Sequence, residues 1–225
     1  PYLSRGLGDV YKRQERCKPK DKVCHNDQID VSIPDAEVSS WTAEDINLDI
    51  IFACDDYAII NKPAGLVMHP GAGVKSGTLA NGVAKIYPEV LSLPRNGIVH
   101  RLDKDTSGLV VIARKNGFRN HIAEQFQNRE VEKKYLAVIK GEIIGALTID
   151  KPIARDRHNR TKMKVDESGR EAISEAISLE SFGGYSVVEV KIETGRTHQI
   201  RVHLSSNKTP IIGDLSLIHI SEPTR

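Results

Sequence analysis

Within one short stretch, His100-Arg101-Leu102-Asp103-Lys104, the chain sets a carboxylate between two cations. The turn-prone run Asp105-Thr106-Ser107-Gly108 follows, and then the apolar run Leu109-Val110-Val111-Ile112-Ala113. A carboxylate at a tight polar turn beside a buried strand is screened from bulk water yet kept charged by its neighbours. Such a group can act as a nucleophile or a base, and the flanking cations point to an anionic substrate. A second cluster, Thr194 to His203 (TGRTHQIRVH), carries Arg201. On a helix Arg201 lies one turn from Thr197 and His198. An arginine turned inward there needs an anion, because an unpaired buried charge is costly, and Asp103 is the natural candidate. The plain alternative is a surface arginine paired with Glu193 or another solvent-facing carboxylate. Tyr135, taken alone, reads as a core tyrosine with a satisfied hydroxyl.

Other chemistries fit these residues less well. Asp103 and Asp105 could form a carboxylate pair for glycoside hydrolysis if a strand ran through both. Asp105 opens a turn sequence, however, and is expected to hydrogen-bond its own backbone. His100, His158, His198 and His203 could be metal ligands, but His198 and His203 are spaced onto different faces of a helix or a strand, so no metal is expected. Ser107 lacks the strained Gly-x-Ser-x-Gly elbow of a nucleophilic serine.

The elements that must position these groups can be read from periodicity. Ile50–Ala53 and Tyr57–Ile60 are strands joined at Asp55-Asp56. Lys62-Pro63-Ala64-Gly65 and His69 to Gly73 are loops. Thr78 caps a helix with Leu79, Val83 and Ile86 on one face, and Asn116 caps a second with Phe118, Ile122 and Phe126 aligned. Val131 to Lys140 is a strand with Tyr135, Ala137 and Ile139 pointing one way. Ala172–Leu179 and Tyr185–Ile192 form a hairpin turned at Phe182-Gly183-Gly184. The residues after Gly195 form a helix with Ile200 and Leu204 inward. The fold expected is α+β with a mixed, mainly antiparallel sheet.

With 225 residues the chain can bury one sizeable core and a small appendage. No apolar run approaches the roughly 20 residues needed to cross a membrane. Cys17, Cys24 and Cys54 lack paired spacing, which argues against disulfides and zinc and for a reducing cytoplasm. A net charge of +2 does not announce nucleic-acid binding. Local charge says more: Arg155, Arg157, Arg160, Lys162 and Lys164 crowd one stretch with His158 and a single acid, Asp156. By charge alone this is a solvated hairpin or loop; the functional alternative is a phosphate-contacting arm. Residues 1–14 and 215–225 fit nothing beside them, resemble translated adapter strings and are set aside as foreign. Residues 15–34 end in the alternating run Gln28 to Pro34 and read as the tail of a small domain. Residues 35–47 read as a linker and 48–214 as the main domain.

The pattern His-Arg-Leu-Asp-x-x-Thr-Ser-Gly at His100–Gly108 resembles the signature of the RluA family of pseudouridine synthases. Ile60 to Pro70 is similar to that family's Asn-Lys-Pro loop. Glu132-Lys133-Lys134-Tyr135 and Thr194 to His203 match two further blocks in the same order. His69 to Gly73 makes the chain most similar to the RluD-type subgroup, which modifies large-subunit ribosomal RNA, and Lys18 to Ile33 looks like the tail of an S4 RNA-binding domain. The resemblance implies a pseudouridine synthase fold that isomerises uridine in RNA without metal or organic cofactor. It also implies a monomeric cytoplasmic protein, not membrane-bound, with ribosomal RNA or the pre-ribosomal large subunit as partner. Asp103 would be the essential aspartate; attack on the sugar, attack on the base and removal of a ribose proton all stay open to it. Arg201 would pair with Asp103, and Tyr135 would stack on the base and take part in proton transfer. Arg101 would enter the RNA helix and hold the target uridine out of the stack, with His100 also contacting RNA. Arg155, Arg157, Arg160, Lys162 and Lys164 would form an RNA-facing arm. The family pattern continues beyond Gly213-Asp214 with a Tyr-Gly block and further strands, where this chain has Leu215-Ser216-Leu217. The expectation is an uncovered sheet edge and a chain that is poorly stable or inactive as it stands, though the parent protein is active. A non-catalytic RNA-binding or ribosome-assembly module of the same fold is the competing reading.

Overall fold

The computed structural model describes residues 10–12, 15–16, 25, 29–31, 41–71, 73–157, 159 and 162–214. The terminal segments set aside above, apart from Val10–Lys12, lie outside the described residues. So do most of 15–34, the first part of the linker, His158 and Arg160. Strands β1 (Val10–Lys12), β2 (Glu15–Arg16) and β3 (Ile29–Val31) form a small antiparallel ladder in the order β2-β1-β3.

Two sheets carry the main body. β4 (Asp49–Ala53), β5 (Tyr57–Lys62) and, later in the chain, β6 (Gly108–Ala113) make the first, in that order. The β4–β5 connection falls at Asp55-Asp56, as the turn chemistry predicts. The β5–β6 register runs from Tyr57↔Ala113 to Lys62↔Gly108. That register brings the loop after Lys62 against the turn that holds Asp103. Helix α1 (Leu79–Ile86) starts at Thr78, whose backbone N–H donates to Asn81 Oδ1 at 3.0 Å. Leu79 and Val83 pack with Ile60, Val110 and Ile112 in the first core. Ile86, expected on the same face, stays exposed at the last turn, and Tyr87 and Val90 are buried instead.

The second sheet has the order β7-β12-β11-β8, from β7 (Lys133–Lys140), β8 (Ala146–Asp150), β11 (Ile173–Phe182) and β12 (Tyr185–Ile192). Between them β9 (Ile153–Arg155) and β10 (Met163–Val165) form a hairpin from the basic stretch. Helices α2 (Asn116–Gln127) and α3 (Gln199–Ser206) complete the body. Lys115 rather than Asn116 is the residue before the first turn of α2. Every strand pairing among the described residues is antiparallel, so the fold is α+β. Ile139, Ile149, Ala176, Val188, Val190 and Leu204 form the second core, and Tyr135 packs against both cores. The tyrosine therefore sits at the seam between the sheets.

The chain approaches the His100 motif through a tight turn, Pro94–Gly97, and the isolated bridge Ile98↔Ile112. Gly97 has φ +73, and a Cβ there would overlap the Ala113 carbonyl oxygen. Gly97→Ala combines left-handed strain with a backbone clash. A loss of about 3 kcal/mol is expected, a drop in melting temperature on the order of 10 °C. An unchanged thermal melt would show that the backbone yields there.

Candidate active site

Lys62 ends β5 facing inward and has no exposed surface. Its ammonium donates to the carbonyls of Pro63 at 2.8 Å, Leu66 at 2.9 Å and Lys104 at 3.0 Å. Burial lowers its pKa, and the charges of Asp105 and Asp103 oppose that shift. The Lys104 carbonyl also accepts the Gly65 N–H at 2.9 Å, and Thr106 N–H donates to the Asp103 carbonyl at 3.2 Å. These bonds fix the Asp103 turn from below. Asp105 is exposed, so the turn is closed by backbone rather than by the Asp105 side chain expected to do it.

The other wall is α3. Gln199 accepts from Thr194 Oγ1 at 2.7 Å and from Arg196 N–H at 3.0 Å, and donates to the Ile173 carbonyl at 2.9 Å and Ser174 Oγ at 3.0 Å. His203, fully buried, has its ring nitrogens 2.9 Å from Ser174 Oγ and 2.9 Å from the Lys151 carbonyl. A carbonyl can only accept, so Nε2 carries the proton and Nδ1 receives the serine hydroxyl. This network sets the rotation of α3: Gln199 and His203 face the sheet, while His198 and Arg201 face the cleft. His198 begins the helix at φ +56, a left-handed conformation costly for a side chain of its size.

Arg201 Nη1 stands 3.4 Å from Asp103 Oδ2, and the two side chains are 19% and 18% exposed. Its contact with Asp214 is shorter. Arg201 Nε and Nη2 grip Asp214 at 2.7 and 2.8 Å, a two-pronged charge-assisted contact. The expected Asp103–Arg201 pair is therefore one half of a shared arrangement in which Asp214 takes the tighter side. His198 Nε2 lies 3.9 Å from the same Asp103 oxygen, and its Nδ1 is buried without a hydrogen-bond partner among the described residues. Burial raises the Tyr135 pKa, and the charge of Asp103 adds to the rise, so the phenol keeps its proton.

The structure distributes the remaining predicted residues unevenly. Arg101 is exposed at the cleft, and its charge, after burial, helps lower the pKa of both His69 and His198. His100 is turned inward: Nε2 accepts the Val111 N–H at 2.9 Å and the ring stacks on Phe126 at 4.9 Å. It ties the motif to β6 and α2. Arg155 and Arg157 are exposed, whereas Lys162 and Lys164 are half-buried and Lys164 Nζ is 3.3 Å from Asp166. The hairpin that carries them packs Met163 and Val165 beside Val202 of α3. Lys62, Asp214 and Gln199 were not singled out as site residues from sequence, and His203 was weighed only as a metal ligand. A lysine ending an apolar strand before proline, and a Gly-Asp turn after a helix, were the faint signals for the first two.

Burial, with a smaller contribution from the Lys133 charge, pushes His100 down from 6.5 to about 4. Its folded pKa lies below its unfolded one, so below about 6.5 the unfolded chain binds a proton that the fold refuses. Stability from this group is complete above that pH and falls as pH drops toward 4, by about 3 kcal/mol in total. His203 is shifted in the same direction, again chiefly by burial. Denaturant midpoints should therefore fall steadily from pH 7 to pH 4.5; a flat profile would contradict the buried neutral ring.

Comparison with known proteins gives the family. The family described as RNA pseudouridylate synthase matches residues 56–206. The ribosomal large subunit pseudouridine synthase D of Yersinia pestis is 41% identical over 197 residues, covering 88% of this chain and 61% of that protein. The protein of the same name from Escherichia coli (strain K12) is 41% identical over 88% of this chain and 60% of its own length. The chain thus spans about three fifths of these relatives. Among solved structures, human RNA pseudouridylate synthase domain containing 1 superposes with a TM-score of 0.64 at 27% identity, over 80% of this chain and 73% of that one. Human RNA pseudouridylate synthase domain containing 4 gives 0.59 at 29% identity, over 74% and 67%. With the matched residues spanning the Asp103 turn, Tyr135 and Arg201, the chain belongs to the RNA pseudouridylate synthase family.

Proposed function

We propose that this chain isomerises uridine to pseudouridine in large-subunit ribosomal RNA, with Asp103 as its catalytic carboxylate. The observation that carries the reading is the meeting of Asp103, Arg201 and His198 in one cleft within 3.9 Å, with Tyr135 near enough to feel the Asp103 charge. In the reaction the N1–C1′ bond breaks, the uracil turns and a C5–C1′ bond forms. The C5 proton leaves to solvent and N1 ends protonated, so the atoms balance without a co-reactant. Attack at the sugar, attack at the base and removal of a ribose proton each require an ionised Asp103. Arg201 favours that state, and because Asp214 takes most of its guanidinium, the Asp103 oxygens stay available to the substrate. The neutral Tyr135 phenol supplies a ring face for the base and an exchangeable proton. His198, whose Nε2 lies 3.9 Å from Asp103, offers a polar edge beside the carboxylate. Arg101 holds the base out of the stack, and the β9–β10 hairpin, with Arg155, Arg157, Arg160, Lys162 and Lys164, contacts the RNA backbone.

In this reading residues 48–214 are the catalytic domain and 15–34 belong to an S4-like domain, in a monomeric cytoplasmic protein. A non-catalytic RNA-binding module has no use for Asp103, Tyr135 and Arg201 together. Tritium release from C5-labelled uridine in ribosomal RNA, run beside Asp103→Asn, separates the two. Release by the unmodified chain alone supports the enzyme; equal release by both removes Asp103 from the mechanism.

A further inference from the structure

We infer that a basic cavity beside the cleft, lined by Arg129, Lys133 and Arg196, seats a backbone phosphate of the RNA next to the target nucleoside. The inference deepens the proposed function and rests on it.

The cavity holds about 270 Å³ and is lined also by Phe126, Glu193 and Gly195. Two parts of its lining connect to the elements that carry Asp103 and His198. Phe126 stacks on His100 of the Asp103 motif, while Gly195 and Arg196 lead directly into His198. Lys133 and Tyr135 lie two residues apart on the inner face of β7, which separates them by about 7 Å along the strand. A base against Tyr135 and a neighbouring phosphate at Lys133 are compatible with that spacing.

The electrostatics point to an anion. Lys133 is half-buried, yet its ammonium donates to a neutral group, the Glu193 carbonyl, at 3.1 Å. Its pKa is lowered by burial first and then by the like charge of Arg129. Bringing two cations together in a half-buried pocket costs energy that a bound phosphate would recover. Arg196 spends its Nε on the Glu171 carbonyl at 2.8 Å, which does nothing to neutralise its charge. The counter-charges are Glu171, which grips Arg129 at 3.2 and 3.3 Å, and the exposed Glu193 carboxylate. Three cations against two carboxylates leave a net positive pocket, with Lys133 at its least compensated point.

Lys134 is a built-in control. It is the next residue in β7, points to the opposite face and pairs with Glu132 and Glu189. Lys133→Gln and Lys134→Gln change net charge equally. Binding of a ribosomal RNA fragment would be measured against salt for both, for Arg196→Gln and for the unmodified chain, with melting temperatures confirming the fold. Lys133→Gln should weaken binding about tenfold at 0.1 M salt and lower the salt slope by about 1, as should Arg196→Gln; Lys134→Gln should stay within about twofold. A neutral methylphosphonate beside the target uridine should weaken binding to the unmodified chain and not weaken it further in Lys133→Gln. If Lys133→Gln and Lys134→Gln behave alike while the unmodified chain binds and modifies RNA, the phosphate seat is wrong and the enzyme reading stands. If the unmodified chain neither binds nor modifies RNA, both fall.

Discussion

Asp103→Asn should lower pseudouridine formation by at least about 10³-fold and leave the melting temperature within about 3 °C. The first half follows from chemistry. Asparagine keeps the shape of the side chain but cannot attack as an anion or take a proton, and loss of a nucleophile or base commonly costs three or more orders of magnitude. The second half follows from the site. The Asp103–Arg201 contact is 3.4 Å long and partly exposed, so its contribution to stability is on the order of 1 kcal/mol or less. Arg201 keeps its closer partner, Asp214, at 2.7 Å. The turn itself is held through main-chain carbonyls, which the substitution leaves in place. C5 tritium release and a thermal melt on the same preparations test both halves. Activity within tenfold of the unmodified chain would end the catalytic assignment. A collapse of the melt would mean that Asp103 is structural.

What could be read before the structure was known follows the range of the interactions involved. The strand at Gly108–Ala113 was legible from its apolar run, whereas the turn before it closes at Asp103–Thr106 rather than over Asp105–Gly108. The β11–β12 hairpin was legible from period-two alternation and Gly183-Gly184. The inner face of β7 placed Tyr135 beside Ala137 and Ile139 by alternation alone. β9 and β10 are three residues each, too short for any period to show. The bond from the Val111 N–H to His100 could not be read from sequence, because only the fold brings the two together. Gln199 would pass for a solvent-facing amide on a helix. It is buried because Thr194 and Ser174, from other elements, satisfy it. Asp214 shows the same limit: a Gly-Asp turn carries no sign of which arginine it will hold. Most residues whose partners come from another strand or helix were not readable; the Asp103–Arg201 pair, 98 residues apart, is the exception, because an inward arginine demands an anion.

Lys62→Met tests whether the Asp103 turn depends on a buried cation. Methionine fills a similar volume, so little cavity is expected. What is lost is one ammonium serving the Pro63, Leu66 and Lys104 carbonyls. An unsatisfied buried acceptor costs about 1–3 kcal/mol, and two opposing effects reduce the sum. Gly65 N–H still donates to the Lys104 carbonyl, and removing the lysine also removes the cost of desolvating its charge. A net loss of about 3 kcal/mol is expected, or roughly 6–12 °C in melting temperature. The effect on turnover should be separate and larger than that of an ordinary destabilised core. Lys104 is the residue after Asp103, so freeing its carbonyl lets the carboxylate drift, and a displacement on the order of 1 Å costs about 10²-fold in rate. The loss should fall on kcat, with KM for RNA little changed, because the cations proposed to contact the RNA backbone are untouched. Measured well below the lowered melting point, an unchanged kcat would show that the Gly65 and Thr106 backbone bonds hold the turn unaided, leaving Lys62 a role in stability alone.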